Sequence, residues 1–295
     1  MNNSLKKSLA IGYFDGVHLG HREIIQMSSD FAEKHGLISA AITFDMSFSR
    51  PQGKDKYDIL PLDDRIRLLK EIGIQDVIVL PFEDIRDMSG KSFAADILKD
   101  RCFAAAVFTG RDFRFGSGRD CGTYELSEMC KEFGIQAYTV LDVVVEEKRV
   151  SSSAIRKALS DGEIHKALKL LGHEYGFSLP VFHDKHLAGK MGFPTINQSF
   201  PDNILVPRMG VYASEINLDG RLFRGITNLG VRPTVGGESV VLETHILDFD
   251  GDLYGKKVKV CLKSFVREEK KFGSLSDLSK EIKNDIEFVK RMQIL

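Results

Sequence analysis

The sequence predicts an α/β chain of two domains, a doubly wound parallel sheet followed by an antiparallel β-barrel or sandwich closed by one terminal helix. Two textures, meeting near residue 172, predict this. Before it, short apolar runs alternate with helical patterns, which implies right-handed βαβ units and a parallel sheet covered on both faces. After it, β-like runs follow one another between turn residues, with no helical pattern until the C-terminal end. Length agrees: 295 residues with 43% hydrophobic content suit two cores rather than one.

In the first half, "SLAIGYF", "LISAAITF", "DVIVLPF", "AAAVFTG" and "IQAYTV" read as buried strands. Between them "HREIIQMSSDFAEKHG", "LDDRIRLLKEIG", "GKSFAADILKDR" and "TYELSEMCKEFG" carry apolar residues at helical spacing, and three of the four end in glycine. Two more helices follow, "SSSAIRKALSDG" and "EIHKALKLLG". Then come the β-like runs "YGFSLPVF", "GVYASEINLDG", "RLFRGITNLG", "VVLETHILDF" and "KKVKVCLKSFV", and the helix "LSDLSKEIKNDIEFVKRM". The expected boundary lies near Gly172–Gly176, giving domains 1–174 and 175–295.

Polar clusters fall at the carboxyl ends of the predicted parallel strands, where ligands bind in open sheets: Asp15-Gly16, Asp45, and Arg111-Asp112. The stretch "GYFDGVHLGH" is the densest. If a helix starts near Leu19, His18 and His21 lie together at its N-terminus, where unpaired N–H groups and the helix dipole favour an anion. Gly20 would let a phosphate approach the backbone, and the imidazoles could donate to phosphate oxygens as charge builds up. The plainer reading has one histidine capping and one exposed. Ser151, Ser152 and Ser153 also stand at a predicted helix start, with Arg156 one turn in. They read as N-capping or as a second anion clamp.

In the second half, "GKMGFPTIN" puts Thr195 and Asn197 on one face of an extended chain. A hydroxyl and an amide oxygen side by side can ligate a hard cation such as Mg²⁺ beside nucleotide phosphates; a strand end with a turn is the alternative. The Gly-Lys pair is no P-loop, since Asp184 stands where the first glycine should be and Met191 replaces Ser/Thr. "LDFDGDLYG" fails as a calcium loop because Lys259 occupies the glutamate position. Glu243 is an acid in a half-buried strand pattern, by itself a surface-facing residue.

"GYFDGVHLGH", "GRDFRFGSG", "VSSSAIR" and the following "LLG" resemble the FMN adenylyltransferase module of bacterial bifunctional riboflavin kinase/FAD synthetases, over about residues 9–172. "GFPTIN", "PRMGVYA", "TNLGVRPT", "LETHILDF", "DLYG" and "VREEKKF" resemble the riboflavin kinase module over about residues 175–293. The resemblance implies a nucleotidyltransferase-like first domain and a six-stranded Greek-key barrel. It implies an enzyme that makes FMN from riboflavin and FAD from FMN, with ATP as co-substrate of both steps and Mg²⁺ as cofactor. His18 and His21 would hold ATP phosphates, with Gly12, Phe14, Asp15, Gly16, Gly20, Ser151, Ser152 and Arg156 around them. Asp112 and Phe113 would line the flavin side. Thr195 and Asn197 would bind Mg-ATP with Lys190 nearby, and Glu243 would be the general base on the riboflavin 5′-hydroxyl.

Three departures stand out. "TFDMSFSRP" lacks the family's proline and histidine after "TFD", Leu179 and Asp184 replace usual glycines, and Lys190 replaces an arginine. The Asp184 change motivates a rival, an FMN adenylyltransferase whose barrel only binds flavin. A non-catalytic flavin sensor is the rival from another class, though a sensor has no need of a hydroxyl-activating base.

Composition narrows the partners. With 41 basic and 42 acidic residues the net charge is −1, which gives no nucleic-acid footprint. No apolar stretch is long enough to span a membrane, and the run in "MNNSLKKSLAIGYFDG" is too short for a signal sequence. Four cysteines without metal spacing read as free thiols. A cytoplasmic protein is expected, with riboflavin, FMN and ATP as its small-molecule partners.

Overall fold

Leu9, Ala10 and Ile11 are fully buried, as the apolar run of β1 (Lys7–Ile11) requires of a central parallel strand covered on both faces. The computed structural model describes residues 6–46, 57–182, 193–234 and 237–292. Lys190, Asp184 and most of "MSFSRP" lie outside them. Around β1 run β2 (Ile38–Asp45), β3 (Asp76–Pro81), β4 (Ala104–Gly110) and β5 (Gln136–Val140), all parallel, in the order β3-β2-β1-β4-β5. The order reverses between β1 and β4, so the crevice beyond their carboxyl ends is the topological switch point.

Helices α1 (Leu19–His35), α2 (Leu62–Glu71), α3 (Phe82–Ile85), α4 (Gly90–Ser92) and α5 (Thr123–Glu132) connect the strands, and α4 continues as a π-helix over Phe93–Arg101. α1 buries Ile24, Ile25 and Ala32 on one face and stops at Gly36, whose φ of +62° suits glycine. The expected first strand ran to Phe14 but ends at Ile11. Phe14 and Val17 take φ of +54° and +40°, so the chain leaves the sheet and curls into a tight loop before α1.

A hairpin the sequence did not announce, β6 (Val144–Val145) and β7 (Lys148–Arg149), follows β5. Its two turn residues, Glu146 and Glu147, both take positive φ, as in a type I′ turn. That turn usually carries Asn-Gly, so "VVVEEKRV" hid it.

By packing, the chain divides into Met1–Ser153 and Ala154–Leu295, earlier than the expected boundary at 174/175. Most of α6 (Ser152–Asp161) and all of α7 (Ile164–Leu171) go with the second unit. The Arg208 N–H donates to Leu159 O at 2.9 Å, and Gly162 lies against Arg208 and Phe265.

The second unit is a six-stranded antiparallel sheet of β8 (Tyr175–Pro180), β9 (Thr195–Ser199), β10 (Gly210–Leu218), β11 (Arg221–Thr234), β12 (Gly237–Ile246) and β13 (Lys257–Arg267). Their order is β8-β13-β10-β11-β12-β9. The sheet curls until its end strands approach: Phe182 N–H donates to Asn197 O at 2.9 Å, and Gln198 Nε2 donates to Leu179 O at 2.7 Å and Val258 O at 2.8 Å. The expected antiparallel fold is thus a curled six-stranded half-barrel, its end strands bridged by one backbone bond and one side-chain amide. Leu179 pairs with Val258 in regular strand, so the backbone here needs no glycine. α8 (Leu275–Arg291) starts at the N-cap Ser274 and buries Val289. Arg224 Nη1 donates to Val289 O and Lys290 O at its C-terminal end, at 3.2 and 2.6 Å, where a cation is favoured.

Candidate active sites on the two units

The first site is a cleft of about 220 Å³ beyond β1 and β4, lined among others by His18, Gly20, His21, Asp112, Arg149 and Ser152. His18 is the N-cap of α1, and its Nδ1 accepts from the His21 backbone N–H at 3.2 Å. A ring nitrogen that accepts carries no proton, so the donor nitrogen His18 offers is Nε2. The imidazoles of His18 and His21 stack, and Phe14 meets His21 edge-on. A Cβ at Gly20 would press on the His18 ring at 3.3 Å, so the glycine lets His18 fold over the helix start. Burial, then the neighbouring His18 and the Arg65 guanidinium, hold His21 well below the usual histidine range. His18 thus caps the helix, as in the plainer reading, but His21 is not exposed and stacks against it.

Ser151, Ser152 and Ser153 line the same cleft, so the start of α6 and the start of α1 both open onto it. Two helix N-termini facing one cleft suit a polyanion. Ser152 Oγ donates to Asp15 O at 3.1 Å, which ties the serine run to the loop before α1. Arg156 lies four residues further along α6, in the second unit.

Other residues of the loop are scaffold to the cleft. The Asp15 carboxylate is buried and accepts from the Ile59 and Leu60 N–H groups at 2.8 and 3.4 Å. Phe14 is buried with its ring folded over Gly12, and Gly16 supplies a φ of +79°. Phe113 packs on the sheet core and stacks with Phe115 rather than lining the cleft.

Two groups escaped the sequence reading. Arg149, delivered by the unexpected hairpin, reaches Asp112 Oδ2 at 2.7 Å and Asp142 Oδ1 at 2.9 Å on the cleft wall. Arg65, which passed as one more charge on α2, is fully buried. Its guanidinium lies 4.3 Å over the Tyr13 ring and donates to Tyr13 O at 2.6 Å. Tyr13 in turn donates to Asp58. The interruption of an exposed-looking helical face by one buried arginine leaves no periodic signal.

The second site lies on the barrel. Asn197 on β9 stands directly opposite Glu243 on β12, which stands opposite Asn228 on β11. Thr195 Oγ1 donates to Glu243 Oε1 at 3.1 Å. Arg232 Nη2 reaches Glu243 Oε2 at 3.3 Å and Asn197 Oδ1 at 3.5 Å. Asn228 Nδ2 donates to Glu269 Oε1 at 2.9 Å. So Thr195, Asn197 and Glu243, 48 residues apart at the extremes, lie together, and Arg232 and Asn228 join them.

No cluster of three or more His, Cys, Asp or Glu suited to a metal exists among the described residues. The Thr195 hydroxyl and the Asn197 amide oxygen are hard donors too few to cage a cation alone. They fit one that arrives with nucleotide phosphates.

A helix-terminus cleft at the switch point of a parallel sheet, with an oxygen-rich cluster on a separate antiparallel barrel, defines a two-module nucleotide-using transferase. The FAD synthetase family model matches residues 1–154 and the riboflavin kinase family model residues 171–293. The bifunctional riboflavin kinase/FMN adenylyltransferase of Bacillus subtilis is 32% identical over 95% of this chain and 90% of its own. That of Escherichia coli K12 is 34% identical over 94% of this chain and 90% of its own. This chain belongs to the bifunctional riboflavin kinase/FMN adenylyltransferase family. A solved structure described as a macrolide-efflux protein from Streptococcus pneumoniae superposes with a TM-score of 0.87 at 28% identity, over 98% of this chain and 95% of that one. Among the described residues no helix is long and apolar enough to cross a membrane.

Proposed function

We propose that the barrel unit phosphorylates riboflavin to FMN and the parallel-sheet unit adenylylates FMN to FAD, with ATP consumed in each step. The observation that carries this reading is that each matched segment holds its own assembled constellation, the His18–His21 cleft in one and the Thr195–Asn197–Glu243 cluster in the other.

In adenylyl transfer an FMN phosphate oxygen bonds to the α-phosphorus of ATP as the bond to pyrophosphate breaks. Charge gathers on the leaving pyrophosphate. The α1 and α6 N-termini, the His18 Nε2–H and the His21 ring are placed to hold that charge, and Ser151 and Ser152 complete the rim. Asp112, bridged to Arg149, stands on the flavin side. Phe113 supports it from the core, and Gly12, Phe14, Asp15 and Gly16 shape the loop. No covalent enzyme intermediate is needed.

In the kinase reaction Glu243 takes the proton of the riboflavin 5′-hydroxyl as its oxygen attacks the γ-phosphorus and ADP leaves. Thr195 Oγ1 and Asn197 Oδ1 would hold Mg²⁺, which would draw charge from the phosphate oxygens. A cytoplasmic site of action fits substrates of this kind.

Purified protein incubated with riboflavin, ATP and Mg²⁺ should yield both FMN and FAD when products are separated by chromatography. FAD from supplied FMN without any FMN from riboflavin would leave only the adenylyltransferase, and neither product would overturn the reading.

A further inference from the structure

The TNLGVRPT segment places one guanidinium where neither family resemblance nor sequence pattern assigned a role. Arg232 sits near the end of β11, and a single nitrogen, Nη2, touches both Glu243 Oε2 and Asn197 Oδ1. These are the two ends of the phosphoryl-transfer line in the reading above. In that reading the attacking hydroxyl lies against Glu243, and the nucleotide phosphates would lie toward Thr195 and Asn197, the residues that would hold a cation with them. The phosphorus in flight therefore passes between Glu243 and Asn197, within reach of the Arg232 fork. An arginine there presents several fixed donors to oxygens that carry the transferring charge.

We infer that Arg232 is a catalytic residue of the kinase reaction, contacting the transferring phosphoryl group of ATP, and that its contacts to Glu243 and Asn197 hold it in place until nucleotide binds. The inference rests on the assignment of Glu243 and Asn197 to the kinase site. Phosphoryl transfer offers the protein little covalent work, so rate comes from placed charge of this sort. The step is balanced as before: the O–H bond of riboflavin and the Pγ–O bond to ADP break, the new P–O bond forms, and Glu243 keeps the proton. Arg232 gains and loses nothing but hydrogen-bond partners.

The test compares wild type with Arg232→Gln and Arg232→Lys, with Glu243→Gln in parallel. Competition against ATP in FMN formation gives inhibition constants for Mg-ADP and for a Mg-bound β,γ-imido ATP analogue at the kinase site alone. Calorimetry repeats the comparison without turnover, the adenylyl-transfer site serving as an unchanged reference. Expected for Arg232→Gln are a roughly 10²-fold fall in kcat for FMN, a roughly tenfold smaller preference for the analogue over ADP, and ADP affinity within about twofold of wild type. Lysine should restore part of both losses. FAD formation from supplied FMN should not change. If Arg232→Gln fails to fold by circular dichroism, the lysine variant carries the comparison through its analogue-to-ADP ratio. Wild-type kcat and ratio in the variants, with Glu243→Gln inactive, would overturn the role of Arg232 alone. An active Glu243→Gln would overturn the site assignment and this inference with it.

Discussion

His18 and His21 stack with ring centroids 3.6 Å apart and planes 13° from parallel. Two imidazoles so close resist carrying two protons, and burial together with Arg65 pushes His21 further in that direction. The acceptance of the His21 N–H by His18 Nδ1 fixes which nitrogen of His18 can donate.

The sign of the resulting pH dependence is definite. His21 is held neutral in the fold and charges freely when unfolded, so below about pH 6.5 the unfolded chain binds more protons. Stability is therefore full above pH 6.5 and declines as pH falls toward the lowered folded value. Between pH 6.5 and 5.5 the contribution is no more than about 1 kcal/mol. Thermal melts should show a smaller acid loss in His21→Asn than in wild type; equal losses would contradict the buried neutral imidazole.

Replacing His21 by alanine should cut FAD formation by roughly 10²–10³-fold and leave riboflavin phosphorylation at the wild-type rate. Steady-state assays of each half-reaction check this, and undiminished FAD synthesis would remove the phosphate role of the histidine pair.

The mirror experiment is Glu243→Gln. The amide keeps the Thr195 contact but cannot accept a proton, so FMN formation should fall roughly 10²–10⁴-fold while FAD is still made from supplied FMN. A loss of only a few-fold would place the base elsewhere.

Domain dissection should follow packing rather than sequence texture. Helices α6 and α7 belong to the barrel unit, with Arg208 bonded to Leu159. A fragment of residues 154–295 should melt cooperatively and phosphorylate riboflavin. One of residues 175–295 exposes the surface those helices cover and should melt at least several degrees lower. Equal melting temperatures by circular dichroism would show that the helices add nothing to the barrel.

Gly176 offers a stability test at a residue that belongs to neither set of site residues. A Cβ there would stand 2.4 Å from Val260 O and 2.6 Å from Cys261 Cα, backbone atoms that cannot swing away. Gly176→Ala should cost about 1–3 kcal/mol, read from urea unfolding of the barrel; a neutral substitution would mean that β8 and β13 part easily.

Much of this was legible in the sequence because it follows from period and punctuation. The five parallel strands, the helices ending at Gly36 and Gly134, and the histidines at the start of α1 all announce themselves locally. What was hidden depends on distant partners. Arg65 looks like any helix charge until Tyr13 is folded against it. Arg232 is one residue of a strand until β9 and β12 bring Asn197 and Glu243 alongside. The Glu146-Glu147 turn breaks the usual residue preference, so the hairpin that carries Arg149 had no marker. The boundary moved for the same reason, since helical texture says nothing about which core a helix covers.

The seam of the barrel has a kinetic consequence. The other strand interfaces of the barrel unit are ladders, with bulges between β10 and β13, whereas among the described residues β8 and β9 are joined by the Phe182–Asn197 backbone bond and the reach of Gln198. Local opening begins where the fewest bonds must break together, so amide hydrogens along this seam should exchange with solvent sooner than those of β10, β11 and β13. Thr195 and Asn197 ride on β9, on the lip that breathes. Nucleotide gripped there would stitch the seam shut, and ligand binding should register first as slowed deuterium uptake in β8 and β9.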